Sequence, residues 1–173
     1  MKRHVVLIGL PGSGKTTVGG LVAQRLNATF FDIDAVLVRR EGKPVTMIFA
    51  EKGEGAFRTL ERQEMETALA SEPAIIAPGG GWAAQPGAVE GAKPRAFVIY
   101  LHTRADTAAQ RAAPEGTRPL LMGGESPAER MRHLLKERDA AYAQAHDKID
   151  TDKKTAAQVA AEVVRLAQTM AGW

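Results

Sequence analysis

The run GLPGSGKTT at residues 9–17 constrains this chain more than any other stretch. Gly9, Gly14, Lys15 and Thr16 fit the spacing G-x-x-x-x-G-K-[ST], directly after the apolar residues 5–8 and ahead of a segment with helical periodicity. A strand, a tight glycine loop and a helix in that order aim successive backbone N–H groups inward at a helix N-terminus, which suits phosphate oxygens. Gly12, Ser13, Gly14, Lys15, Thr16 and Thr17 are therefore the candidate contacts to a nucleotide phosphate chain. Lys15 is expected to reach the β and γ phosphates and to act in catalysis, and the Thr16 hydroxyl to ligate Mg²⁺.

The rest of the chain supplies a frame for that loop. Short apolar runs bounded by turn residues recur at 5–8, 29–31, 74–77, 96–101 and 148–149, with helical stretches between them, which predicts an α/β fold with a mostly parallel sheet. Residues 15–26 bring Val18, Leu21, Val22 and Leu26 to one helical face, and 54–69 do so less regularly through Phe57, Leu60, Met65 and Leu69. Ser126, Pro127 and Glu129 predict a capping box opening a helix with the stripe Met131, Leu134, Leu135, Arg138 and Tyr142. A last helix is expected over about 156–170, with Val159, Val163, Leu166 and Met170 in register. Residues 113–126, with two prolines and three glycines, read as a loose connection.

A chain of 173 residues suits a single well-buried core, so one domain over 1–173 is expected. The 23 Lys and Arg against 20 Asp and Glu are spread along the length, and no basic stripe interleaves with aromatics, which argues against a nucleic-acid partner. The absence of cysteine excludes disulfides and thiolate metal sites. No apolar run approaches the roughly 20 residues needed to cross a bilayer. Residues 1–4 lead straight into the first strand, leaving no signal peptide, so a cytoplasmic protein without a membrane partner is expected.

Three further groups bear on an acceptor. Asp32 and Asp34 end a strand-like run two residues apart, and in extended geometry both face the same side of the crevice at the C-terminal strand ends. There Asp34 would take or orient the proton of an attacking hydroxyl and Asp32 would hold metal-bound water; such a pair also serves as a helix cap or solvated turn. Arg58 adjoins the apolar Phe57, and Arg138 interrupts the inner stripe of its helix. Guanidinium groups leaning inward call for a planar anion such as a carboxylate. Arg62, with Glu54, Glu61 and Glu64 near, suits surface ion pairs instead. Gly79, Gly80 and Gly81 follow the third apolar run, where a backbone free of Cβ atoms can approach a small ligand or merely turn.

In order along the chain, the phosphate loop, Asp32-Ile-Asp34, Gly55-Ala-Phe-Arg58, Pro78-Gly-Gly-Gly81, Arg118-Pro-Leu-Leu121 and Glu137-Arg-Asp-Ala-Ala-Tyr142 resemble the shikimate kinases, over residues 5 to about 154. The resemblance implies a three-layer P-loop kinase fold similar to nucleoside monophosphate kinases. Its parallel sheet of five strands would run in order 2-3-1-4-5, with a lid at about 113–126 and a substrate-binding helical region at about 33–62. It implies a monomer that moves the γ-phosphate of ATP, with Mg²⁺, to the 3-hydroxyl of shikimate. Asp34, Arg58, Gly80 and Arg138 then fall where the family holds substrate, the arginines on its carboxylate and Asp34 on its hydroxyls, with Gly79 and Gly81 beside them. Arg118 falls on the lid arginine that reaches the ATP phosphates, Asp32 close to Mg²⁺, and Arg111 and Lys154 beside adenine.

The chain departs from the pattern at Trp82, where a small side chain is expected after the glycines, and at Lys153 and Lys154, where arginines are common. Trp82 is thus a wall of the site, a packing residue or a sign of altered specificity. The competing acceptors are aminoshikimate, quinate and gluconate. A non-catalytic nucleotide-binding module would be expected to lack Lys15, Thr16, Asp34 or Arg118, and all four are present.

Overall fold

The computed structural model describes residues 1–112 and 125–173. Five parallel strands, β1 (His4–Ile8), β2 (Phe30–Asp32), β3 (Ile75–Ala77), β4 (Ala96–His102) and β5 (Asp147–Asp150), form one sheet in the order β2-β3-β1-β4-β5. β1 is apolar and buried along its whole length after His4 because both faces are covered, as a central parallel strand requires. Alternate residues feed separate cores. Val6, Ile8, Ile76, Val98 and Tyr100 face one layer, and Val5, Leu7, Ile75, Ile99 and Leu101 face the other.

The second layer is made by α1 (Lys15–Leu26), through Val18 and Val22, and α7 (Ala156–Met170), through Val159, Val163 and Leu166. Met170, expected in that stripe, is 53% exposed, and Ala171 beside it is the residue that is buried there. The opposite layer holds α2 (Ile33–Glu41), α3 (Val45–Leu69), α4 (Ala88–Ala92), α5 (Ala105–Ala112) and α6 (Pro127–Tyr142). The capping box expected at Ser126 and Glu129 is present in both directions.

The β2-to-β3 crossover holds two features that the periodicity did not resolve. β2 stops at Asp32 and α2 starts at once, so Asp32 and Asp34 do not share an extended run. α3 breaks at Gly53, where φ 82° and ψ 168° leave the helical region; the helix expected from residue 54 is its second half. Trp82 is only 5% exposed and packs in the core with Val89, Ala92 and the α3 side chains, which makes it a packing residue. The chain ends meet: Arg3 N–H donates to Ala171 O at 2.9 Å and Trp173 Nε1 donates to Arg3 O at 2.9 Å. No helix among the described residues is long and apolar enough to cross a membrane.

Buried His4 staples the start of β1 to the β3 layer. Its Nδ1 accepts the Ala74 N–H at 3.1 Å while Nε2 lies 3.1 Å from Leu69 O, a pairing that needs the neutral tautomer with the proton on Nε2. Burial holds its pKa below the ordinary value of 6.5, and His146, whose Nδ1 accepts the Val98 N–H at 2.9 Å, shifts the same way. A histidine harder to protonate when folded stabilises the fold fully above its unfolded pKa, and that stability is lost as pH falls below it. We therefore expect the melting temperature to decline from about pH 6.5 downward. His4→Asn should melt lower at pH 7.5 yet lose less between pH 7.5 and 5.5; a parallel decline in both proteins would refute the assignment.

Candidate active site

At the C-terminal edge of the sheet, four consecutive strand ends deliver the residues singled out by the sequence. β1 runs into the phosphate loop, β2 into Asp32 and Asp34, β3 into Pro78 and the triple glycine, and β4 into α5. Gly12 has φ 81°, and a Cβ there would come within 2.5 Å of Ala108 O, so a glycine is required both by the turn and by its contact with α5. Lys15 is buried with its ammonium folded over the loop, donating to Gly9 O at 2.7 Å and Leu10 O at 3.0 Å. A positive charge is thereby held over the loop, where a phosphate chain would need it.

Thr16 Oγ1 donates to Asp32 Oδ2 at 2.8 Å, so the two expected metal residues are in direct contact. Asp32 is also the N-cap of α2, accepting the Ala35 N–H on Oδ1 at 3.3 Å. Both readings of the acidic pair, cap and cation site, thus meet in one side chain. Asp34 sits in the first turn of α2 and lines the adjoining pocket.

That pocket, of about 670 Å³, opens between α2, α3, α6 and the glycine loop. Pro11 of the phosphate loop and Gly80 both line it and stand close: a Cβ on Gly80 would lie 3.0 Å from Pro11 Cδ. Arg58, Glu61, Arg130 and Arg138 also line it, and each has one buried polar atom without a hydrogen-bond partner: Nε, Oε2, Nε and Nη1 respectively. Such atoms are costly in a folded protein, and a polar ligand in the pocket would satisfy them.

Glu61 is the residue the sequence misplaced. Expected on a solvated face, it is 1% exposed, and its Oε1 accepts from Arg58 Nη1 at 2.9 Å. Burial pushes its pKa up, with Asp34 adding to the rise, while Arg58 and Arg138 oppose it. The signal was available: Phe57, Glu61, Met65 and Ala68 recur at helical spacing, and all four are buried. Arg58 also leans on the rings of Phe49 and Phe57, at 5.7 and 5.5 Å from their centroids, which fixes its direction.

The triple glycine is explained by what surrounds it. A Cβ on Gly79 would lie 2.5 Å from Glu61 Oε2 and 2.9 Å from Asp34 Oδ1; one on Gly80 would lie 3.2 Å from Arg138 Nη1; one on Gly81 would overlap the Arg58 guanidinium. The loop thus lets four charged groups close around a single stretch of backbone. Tyr142, fully buried and stacked on Tyr100 at 4.9 Å, donates to Gly80 O at 2.9 Å and ties the loop to the helix that carries Arg138.

Other expected residues lie apart. Arg62 is exposed and its contact is with Thr59 Oγ1 at 3.5 Å. Arg111 is exposed at the end of α5, and Lys154 pairs with Glu162 at 3.0 Å. Arg118 and residues 113–124 of the expected lid lie outside the described residues. His102, Asp150 and Asp152 form a grouping of metal-type side chains among the described residues, and it includes neither Thr16 nor Asp32.

The sheet order, the phosphate loop and the adjoining charged pocket define a P-loop small-molecule kinase. Comparison with known proteins narrows the class. A family model described as shikimate kinase matches residues 11–168. The chain is 45% identical to a shikimate kinase of Thermobifida fusca over 142 residues, 79% of this chain and 78% of that one. It is 42% identical to one of Moorella thermoacetica over 163 residues, 94% and 93% of the two chains. Among solved structures, a shikimate kinase from Acinetobacter baumannii in complex with shikimate superposes with a TM-score of 0.90 at 34% identity, covering 98% of this chain and 94% of that one. The chain belongs to the shikimate kinase family.

Tyr142→Phe should cost about 1–2 kcal/mol by leaving the Gly80 carbonyl unpaired. It should raise the acceptor KM while leaving the KM for ATP unchanged, as steady-state kinetics with each substrate varied would reveal; a weaker grip on ATP alone would contradict the tie to the glycine loop.

Proposed function

We propose that this chain transfers the γ-phosphoryl group of ATP to the 3-hydroxyl of shikimate, giving shikimate 3-phosphate and ADP. The observation that carries the reading is the shared wall between the phosphate loop and a pocket with four unpartnered polar atoms, at Pro11 and Gly80. A carboxylate ringed by hydroxyls supplies what those atoms lack: an anion for Arg58, Arg130 and Arg138, and a donor for Glu61. Belonging to a family of that name supports the same acceptor.

Phosphoryl transfer passes through a loose transition state, so the protein's work is alignment and charge neutralisation. Gly12, Ser13, Gly14, Thr16 and Thr17 would hold the phosphate chain through their N–H groups, and Lys15 would turn from the loop carbonyls to the β and γ phosphates. Arg58 and Arg138 would fix the acceptor's carboxylate, with Gly79, Gly80 and Gly81 giving it room. Asp34 would orient the attacking hydroxyl and take its proton. Arg118, on a lid over residues 113–126, would close on the phosphates, and Arg111 and Lys154 would flank adenine. Thr16 and Asp32 are hard oxygen donors in contact, a set that fits Mg²⁺. With Mg²⁺ held there, its charge would offset the negative charge of the phosphate chain. The chain would act as a single kinase domain over 1–173, as a cytoplasmic monomer needing no nucleic acid or membrane.

Lys15→Ala should lower kcat by about 10²–10³-fold or more. Arg138→Ala should raise the acceptor KM about tenfold to a hundredfold through loss of a charge-assisted contact, with the ATP KM unchanged. Arg58→Ala is the less clean variant because it also strands buried Glu61. A panel of shikimate, aminoshikimate, quinate, gluconate and nucleoside monophosphates, read by coupled ADP release, checks the acceptor; faster turnover of any other member would overturn the assignment.

A further inference from the structure

α6 presents two arginines to the pocket, Arg130 and Arg138, with Leu134 midway between them. Positions four and eight residues apart lie on one helical face, and their Cα atoms are separated by about 12 Å along the axis. Arg138 is the one beside Gly80. Arg130 enters nearer the N-terminal end of the helix.

Its surroundings differ from those of an ordinary surface arginine. Arg132, on the outer side of the same helix, is 55% exposed and pairs with Asp106 at 2.9 Å. Arg130 is half-buried, its Nε is closed off from solvent with no partner, and among the described residues it makes no ion pair with a carboxylate. Arg58 is already balanced by Glu61 at 2.9 Å and Glu54 at 3.8 Å. The positive charge lining the pocket without an ion-pair partner among the described residues therefore sits on Arg138 and Arg130. A guanidinium held in a cleft this way lowers its desolvation cost when an anion enters, and its field draws anions toward the cleft.

We propose that Arg130 is a specificity-determining residue of the acceptor pocket: a third guanidinium that recognises the acceptor's anionic group and makes the site favour acids over neutral polyols. This rests on the reading of the pocket as the acceptor site. Charge alone, delivered at moderate range, is the interaction, so lysine should substitute in part and glutamine should not.

The test compares wild type, Arg130→Gln and Arg130→Lys, matched for melting temperature, with shikimate and with its uncharged carboxamide as acceptors. Binding is measured by titration calorimetry and turnover by ADP release. Arg130→Gln should raise the Kd and KM for shikimate by about five- to tenfold, with kcat at saturation and the KM for ATP unchanged. For the carboxamide it should change nothing. Arg130→Lys should recover part of the loss, and added salt should erode the wild-type advantage more than that of the glutamine variant. Equal losses for acid and amide would mean that Arg130 only shapes the pocket, and no loss for either would mean that it is idle; both overturn the inference while the kinase reading stands. A wild type that neither binds nor phosphorylates shikimate would overturn the kinase reading, and this inference with it.

Discussion

Burying a carboxylate in contact with a guanidinium beside bare backbone is the constraint around which this structure is organised. Glu61 is nearly inaccessible and Arg58 reaches it from one turn away, so neither can be lost alone without leaving an uncompensated charge. The two can be accommodated only because the strand that ends at Ala77 leads, past Pro78, into three residues without side chains. Sheet order places that strand between β2 and β1, and so sets the charged cluster beside the phosphate loop. Fold and chemistry are therefore not separable here: the topology brings the glycines to the arginines, and the glycines let the arginines approach.

The same economy appears on α6. One helical face carries Leu134 to the core, Arg138 to the glycine loop and Tyr142 to the Gly80 carbonyl. A helix opened by a reciprocal capping box and anchored by a fully buried tyrosine is a rigid mount for the cations between those ends. Rigidity matters because guanidinium recognition is directional, and a small displacement of the mount would be felt at the ligand.

The phosphate loop was fully legible in the sequence because its logic is local: glycine spacing, a strand before it and a helix after it. The helix from Ser126 was legible for the same reason, its cap being written within four residues, and the one near residue 156 was legible from its apolar stripe. Strand order came from resemblance, since pairing between distant segments leaves no local trace. The acidic pair was seen, yet its geometry changed because Asp32 ends β2 and caps α2 at once, and a cap outcompeted continued extension. Glu61 and Arg130 escaped notice because periodicity arguments count charged residues as surface, although both fall on inward-facing rows. Tyr142 was assigned to the apolar stripe correctly, but its bond to Gly80 joins residues 62 positions apart.

Asp32 joins the two halves of the site through a single carboxylate. One of its oxygens holds the first turn of the helix bearing Asp34, and the other holds the hydroxyl that follows the loop lysine. A cation drawn to the second oxygen would meet a carboxylate already oriented by the cap that its first oxygen makes. The side chain is thus a hinge pin between neighbours, fixing the start of the helix that bears Asp34 at a set distance from the phosphate loop.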